Sequence, residues 1–350
     1  MGLMKKIIIA LLCVIVLAGA AVFMFLGSLG EPLDAENTQT VNLKIESGSG
    51  TGTIAKVLFD NYIIDNVNEF KLWSRIKGYD SQYKAGSYTL SPSMDYQTIA
   101  DIIVGGKVTT KNFTVPEGYT IYQTATALAN QGMGDYEKFV SLIEGAEFGY
   151  EFIDVRGKGK NALEGYLMPN TYTIDEGMTE EQIINVMLKQ FKKDAYDLYL
   201  YYQENDPDSP ANKYTLNEII TIASIIEREC KVDEERPLVA SVIYNRLDRG
   251  MALQMCSTVQ YVLGKQKEVL TIADTKIESP YNTYINLGLP PGPIACPGPA
   301  AIKAALEPAD TNYLYFVVSE KLDGTSNFSS TYDKFLKDKA AYDKAYRAAN

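Results

Sequence analysis

The spacing of apolar residues changes several times along this chain, and each change marks an element. Ile7 to Leu26 is an unbroken uncharged run. Its length, about 20 residues, is what one helix needs to cross a bilayer. Lys5 and Lys6 precede it and no basic residue comes soon after it, so the charge bias places the N-terminus in the cytoplasm and the rest outside. "LAGA" would also suit a cleaved signal peptide, but a signal h-region is shorter, usually about 7–15 residues. Both readings export the remainder of the chain. The expected order is a cytoplasmic tail (1–6), an anchor (7–27) and a polar linker (28–40).

After the linker, Val41, Leu43 and Ile45 alternate as in a strand. "IAKVLFDNYII" and "VNEFKLWSRIKGY" have helical spacing, "YKAGSYTL" is extended, and another helix closes at Gly105 and Gly106. This predicts a β-α-α-β module over 41–111. "TKNFTVPEGYTIYQTATALANQG" repeats strand, turn and helix, and opens a larger domain over 112–345. From 134 to 208 the pattern is mostly helical, interrupted at "ALEGYLMPNTYTI". Toward the C-terminus, "YLYFVVS" reads as a buried strand and "DGTSNFSSTYDKF" as a turn entering a final helix. The expected fold class is α+β.

"TLNEIITIASIIERE" concentrates the candidate chemistry. Thr215 with Glu218 three residues later is a capping-box signature, so a helix starts near Leu216. Leu216, Ile219, Ile220, Ala223 and Ile226 form one apolar stripe, and Glu227 falls within it. Glu229 falls nearly opposite, beside Ile222 and Ile225. A carboxylate in an apolar stripe is costly unless paired or protonated. Glu227 therefore reads either as a general acid with a raised pKa, or as half of an ion pair with Arg228, Arg236 or Arg246, or as a frayed helix end.

Composition narrows the chemistry. The chain has no histidine, which removes histidine-based triads, shuttles and metal ligands. An acid or base working near neutrality is then a carboxyl, lysine, tyrosine or cysteine. The net charge of −11 argues against nucleic acid as a partner. No cysteine spacing suggests a metal site, and no cofactor is expected. The 25 tyrosines suit sugar or peptide binding, as do Tyr281, Asn282, Thr283 and Tyr284 in the Pro/Gly-rich loop after Ser279.

"LEGYLMPNTY", "IASIIERE", "VIYNRL", "LQMCSTVQY", "SPYNTYINLGLPPGPI", "PGPAAIKAALEP" and "YLYFVV", in this order, resemble the YceG-like, MltG-type endolytic murein transglycosylases. That resemblance implies cleavage of the β-1,4 link between N-acetylmuramic acid and N-acetylglucosamine in nascent peptidoglycan, leaving 1,6-anhydro ends. It puts the catalytic acid on the first glutamate after "ASII", Glu227. Asn245, Gln254, Thr258 and Tyr281–Tyr284 would line the glycan cleft, with Glu229 and Arg246 in support. It further implies peptidoglycan strands, the cell membrane and peptidoglycan synthases as partners. The module over 41–111 resembles LysM glycan binders, though a spacer fits the same pattern. Two other functions remain open at this point: a muramidase using water, and a non-catalytic glycan-binding assembly factor.

Three positions depart from the family pattern. Cys256 stands where many members have Asp, Cys296 where many have Asn, and Ser326 where His is frequent. Two such changes to cysteine in an exported chain imply a Cys256–Cys296 disulfide, leaving Cys230 as the odd thiol.

Overall fold

The computed structural model describes residues 29–46, 48–106, 110–145, 148–153, 161–175, 178–267 and 269–349. The expected anchor lies outside the described residues, and among the described residues no helix is long and apolar enough to cross a membrane. The chain divides into two compact units: residues 1–111 with 173–178, and residues 112–172 with 179–350.

The first unit has the expected β-α-α-β order. Strand β1 (Val41–Ile45) is followed by helices α1 (Thr51–Asp60) and α2 (Val67–Lys77), strand β2 (Gly86–Leu90) and helix α3 (Tyr96–Gly105). The strands pair antiparallel, with Leu43 opposite Tyr88 and Val41 opposite Leu90. Alternation along β1 sends Leu43 and Ile45 inward, where they meet Ile54 and Leu58 of α1, Phe70 and Trp73 of α2, and Ile99 and Ile103 of α3. Local signals set the ends. Asn66 accepts the amides of Asn68 and Glu69 to start α2, and Gly78, at φ 77°, ends it in the left-handed conformation.

Strand β3 (Thr110–Val115) pairs with β4 (Asn170–Asp175). The sequence pattern shows β3 but not β4, whose residues come after Pro169 and read as a break between helices. In the second unit the order continues with α4 (Ile121–Asn130), α5 (Tyr136–Gly145), α6 (Glu180–Phe191), a π-turn at Lys192–Tyr196, and α7 (Asp197–Asn205). Then come α8 (Leu216–Glu229), α9 (Arg236–Asp248), α10 (Cys256–Leu263), α11 (Pro299–Leu306), strands β5 (Tyr315–Val318) and β6 (Ser326–Ser329), and α12 (Tyr332–Ala349).

Helix α8 is the spine of this unit. Thr215 and Glu218 form the expected capping box, and every residue from Ile219 to Ile226 is buried. Burial on all sides arises from its neighbours: α9, α10 and α11 all pack against it. The region around 313 is only partly a buried strand. Tyr315–Val318 is half-open and pairs antiparallel with Ser326–Ser329, a strand the pattern did not reveal. Tyr315 packs on Tyr332 and Phe335 of α12, which covers this hairpin.

Candidate active site

The site forms around the C-terminal end of α8. Two segments are brought to it by backbone hydrogen bonds. Gly118 donates to Cys296 O (2.9 Å), Cys296 donates to Tyr119 O (2.8 Å), and Ile294 donates to the buried Ser224 hydroxyl of α8 (3.0 Å). The turn after β3 and the Pro/Gly loop before α11 are thus fastened to each other and to the helix.

Glu227 and Glu229 meet very different surroundings. The Glu227 side chain is 8% exposed and forms an ion pair with Arg236, itself 7% exposed. Arg236 Nη1 lies 3.2 Å from Oε2, and Nη2 donates to Oε1 at 3.3 Å. The Gly298 amide, at the start of α11, also donates to Oε2 (3.0 Å). Arg236 donates in addition to Asp233 (2.8 Å). The exposed Glu117 lies beside this group, and burial, then the Glu227 charge, pushes its carboxyl up. These contacts make Glu227 a positioned strut between α8, α9 and α11.

Glu229 forms no ion pair of this kind among the described residues. It is half-buried, and its Oε1 accepts the amide of Ser257 at the start of α10 (2.8 Å). Burial nevertheless pushes its carboxyl above the usual range, outweighing that bond and the adjacent Arg228. Ser257 and Arg228 both line a cleft of about 620 Å³. Arg228 is oriented by donating to Gly118 O (3.0 Å). The cleft wall also carries Tyr119, Tyr122, Gln123, Gln260, Tyr261 and Tyr281. Its charged lining residues are Arg228 and Lys265, with no carboxylate among them. Among the described residues, no group of three or more His, Cys, Asp or Glu is arranged to hold a metal.

Of the residues expected to line a glycan cleft, Tyr281 does so. Tyr284 has its hydroxyl 3.1 Å from Cys256 Sγ, and burial, then Cys256 and Glu229, raises its pKa. Gln254 is exposed with φ 54°, its amide donating to Thr283 O (3.0 Å). Thr258, Asn282 and Thr283 are fully buried. Thr258 donates to Met255 O, Asn282 to Thr275 O and Ile277 O, and the Thr283 hydroxyl accepts Met255 N. They fasten the loop to α10 from within and present nothing to a ligand. Asn245 donates to Thr311 O and Tyr313 O, and so holds the segment before β5 rather than the cleft. Arg246 is buried and donates to Leu314 O, Ala252 O and Leu253 O, which makes it a backbone clamp.

The disulfide is not formed. Cys230, Cys256 and Cys296 are all free. Cys256 faces Tyr284, whereas Cys296 is buried with its pKa raised by burial and by Glu164, close to the backbone of Gly165 and Leu167. The two thiols serve different neighbourhoods.

Sequence reasoning missed Glu164, which is 1% exposed, and Tyr261. Their signal lay in "LEGYLMPNTY" and "STVQY", segments noticed only as resemblance. Gly165, at φ +87°, belongs to the same turn. A Cβ there would lie 2.6 Å from Pro293 and 2.9 Å from Ile220, so only glycine lets the turn, the loop and α8 meet.

An α+β domain with a raised-pKa carboxyl at the end of its central helix, next to a tyrosine- and amide-lined cleft, is the class of protein these observations define. The chain belongs to the YceG-like family, whose model matches residues 43–341. It is 35% identical over 340 residues to an endolytic murein transglycosylase of Bacillus subtilis, covering 94% of this chain and 91% of that one. It is 33% identical over 314 residues to an endolytic murein transglycosylase of Streptococcus pneumoniae, covering 82% of this chain but 55% of that longer protein. A crystal structure of a putative yceG-like protein from Listeria monocytogenes superposes with a TM-score of 0.56 at 33% identity, covering 85% of this chain and 99% of that one.

Proposed function

We propose that this chain is an endolytic murein transglycosylase that cuts the MurNAc-β-1,4-GlcNAc bond of nascent peptidoglycan, and that Glu229 is its general acid. The observation that carries the reading is the contrast between the two glutamates. A general acid for glycoside cleavage must hold a proton near neutral pH. Burial favours the protonated form of Glu229, whereas Glu227 is tied into an ion pair with the buried Arg236. The family resemblance assigns this role to Glu227, and the difference in surroundings is what supports its neighbour two residues on.

In this mechanism Glu229 donates its proton to the leaving glycosidic oxygen as the bond from C1 breaks. The carboxylate then takes the proton of the muramoyl C6 hydroxyl as its oxygen closes on C1. The proton ends where it began, and the product is a 1,6-anhydro ring. No water or second carboxylate is needed in this step. The reading also places the Ile7–Leu26 run in the cell membrane, the rest outside it, and the 41–111 module as a LysM-like glycan contact. Synthases that make the strand would be natural partners.

Digestion of purified glycan strands with mass analysis of the products tests this. Anhydro ends are expected from the unmodified protein, with loss of cleavage in Glu229→Gln. Reducing ends would replace this reading with hydrolysis, and full activity in Glu229→Gln would remove the assigned acid.

A further inference from the structure

Beneath the cleft lies a buried polar network for which the cleavage chemistry has no use. Glu164 accepts from Ile121 N at Oε1 (3.1 Å) and from the Tyr261 hydroxyl at Oε2 (3.1 Å). The same Tyr261 oxygen accepts from Asn161 Nδ2 (2.7 Å). Burying a carboxyl costs free energy unless its oxygens are satisfied, and here both are. Two hydrogen bonds in different directions leave the Tyr261 phenol little freedom. The ring it fixes stands beside Tyr281, with centroids 5.0 Å apart and planes tilted by 47°. Tyr261 and Tyr281 both line the cleft, next to the amide of Gln260 and the hydroxyl of Ser279.

We infer that Tyr261 and Tyr281 form an aromatic wall on which a pyranose ring stacks, and that Glu164 is the residue that positions it. The inference rests on the glycan-cleaving reading for the identity of the ligand. A pyranose presents an apolar C–H face bordered by hydroxyls. A fixed aromatic pair matches the face, and neighbouring amides and hydroxyls match the rim. A rigid wall also spares the ligand the cost of ordering it. The second tyrosine comes from the Pro/Gly loop, held by Asn282 and Thr283, so the wall joins α10 to that loop.

The test measures binding of purified, uncrosslinked glycan strands by calorimetry, in the full-length chain carrying Glu229→Gln so that strands survive. Tyr281→Ala is expected to weaken binding about tenfold, the scale of one good aromatic contact. Tyr261→Phe keeps the ring but cuts it from Glu164, and is expected to weaken binding severalfold in protein that is still folded, with a lowered melting temperature because a buried Glu164 oxygen loses its partner. With Glu229 intact, Tyr261→Phe and Tyr281→Ala should raise KM and leave kcat within about twofold, because uniform binding is what is lost. Glu164→Gln retains an acceptor for Ile121 and a partner for Tyr261, so it should bind better than Glu164→Ala. Unchanged affinity and KM in both tyrosine variants would overturn the wall. Strand binding that depends on both tyrosines, in a protein that cuts nothing, would support the wall and overturn the catalytic reading instead.

Discussion

Arg236 reaches both carboxylate oxygens of Glu227, at 3.2 and 3.3 Å, while Glu229, two residues along the same helix, faces the Ser257 amide. A step of two residues on a helix turns the side chain by about 200°. That turn separates a strut from a candidate acid. Removing one partner of a buried pair leaves the other charge uncompensated, which costs about 3–5 kcal/mol. Arg236→Met should therefore lower the melting temperature sharply, and Glu227→Gln should lower it as well. The fraction of Glu227→Gln that stays folded should still cut glycan. Thermal denaturation paired with the strand digest checks both halves.

Glu229→Gln should fold normally and lose about 10²- to 10⁴-fold in kcat, the usual weight of a general acid. The pH profile has a definite sign. The protonated form does the work, and burial extends it to higher pH than an exposed glutamate allows. The rate constant should thus fall as pH rises through the Glu229 pKa. A rate that rises over that range would contradict the assignment.

Glu164 predicts how stability depends on pH. Burial pushes its carboxyl up to about 8 from the ordinary 4.5. Between those values the folded state holds a proton that the unfolded state has released, so its contribution makes stability fall as pH rises. The decline levels off above the folded-state value. Tyr261 and Cys296 beside it are themselves pushed up by burial and stay protonated in this window. Urea unfolding at several pH values should show a shallower decline in Glu164→Gln than in the parent chain.

Two glycines should respond very differently to alanine. Gly165 combines φ +87° with contacts to Pro293 and Ile220, so Gly165→Ala should cost about 2 kcal/mol or more in chemical denaturation. Gly298 has φ −78°, and the atoms its Cβ would meet are those of the exposed Glu117 carboxylate. That side chain can swing away, so Gly298→Ala should be nearly neutral.

The thiols give a direct chemical check. Alkylation of the denatured chain without reductant should label Cys230, Cys256 and Cys296 alike. Any pair that resists until reductant is added would show a bridge. In the folded chain Cys296 should react last, being fully buried.

Much of the fold was legible because local rules and final structure agree. The Thr215–Glu218 box, the glycine ends of α2 and α3, and the alternation at Val41, Leu43 and Ile45 each act within a few residues. Strands β4 and β6 were hidden because pairing partners, not their own patterns, make them strands. In the site, helical phase separated the two glutamates correctly but could not say which side faced a cation. Arg236 was one of three arginines the sequence offered, and only tertiary packing chooses among them. Thr258, Asn282 and Thr283 looked like ligands for the same reason they make good loop anchors: each has a short polar side chain that can bond to backbone. The Cys256–Cys296 pairing failed because two unusual cysteines near one loop need not share a side of it.

The bonds from Gly118 to Cys296, from Cys296 to Tyr119 and from Gly298 to Glu227 set the order in which the site can assemble. They join the first turn of the larger unit to a loop near its far end, the kind of contact that folds late. Helices α4 to α8 can form early while the cleft is still unorganised. Cutting power would then arise only once the loop arrives, so activity would report that the last long-range contacts have closed.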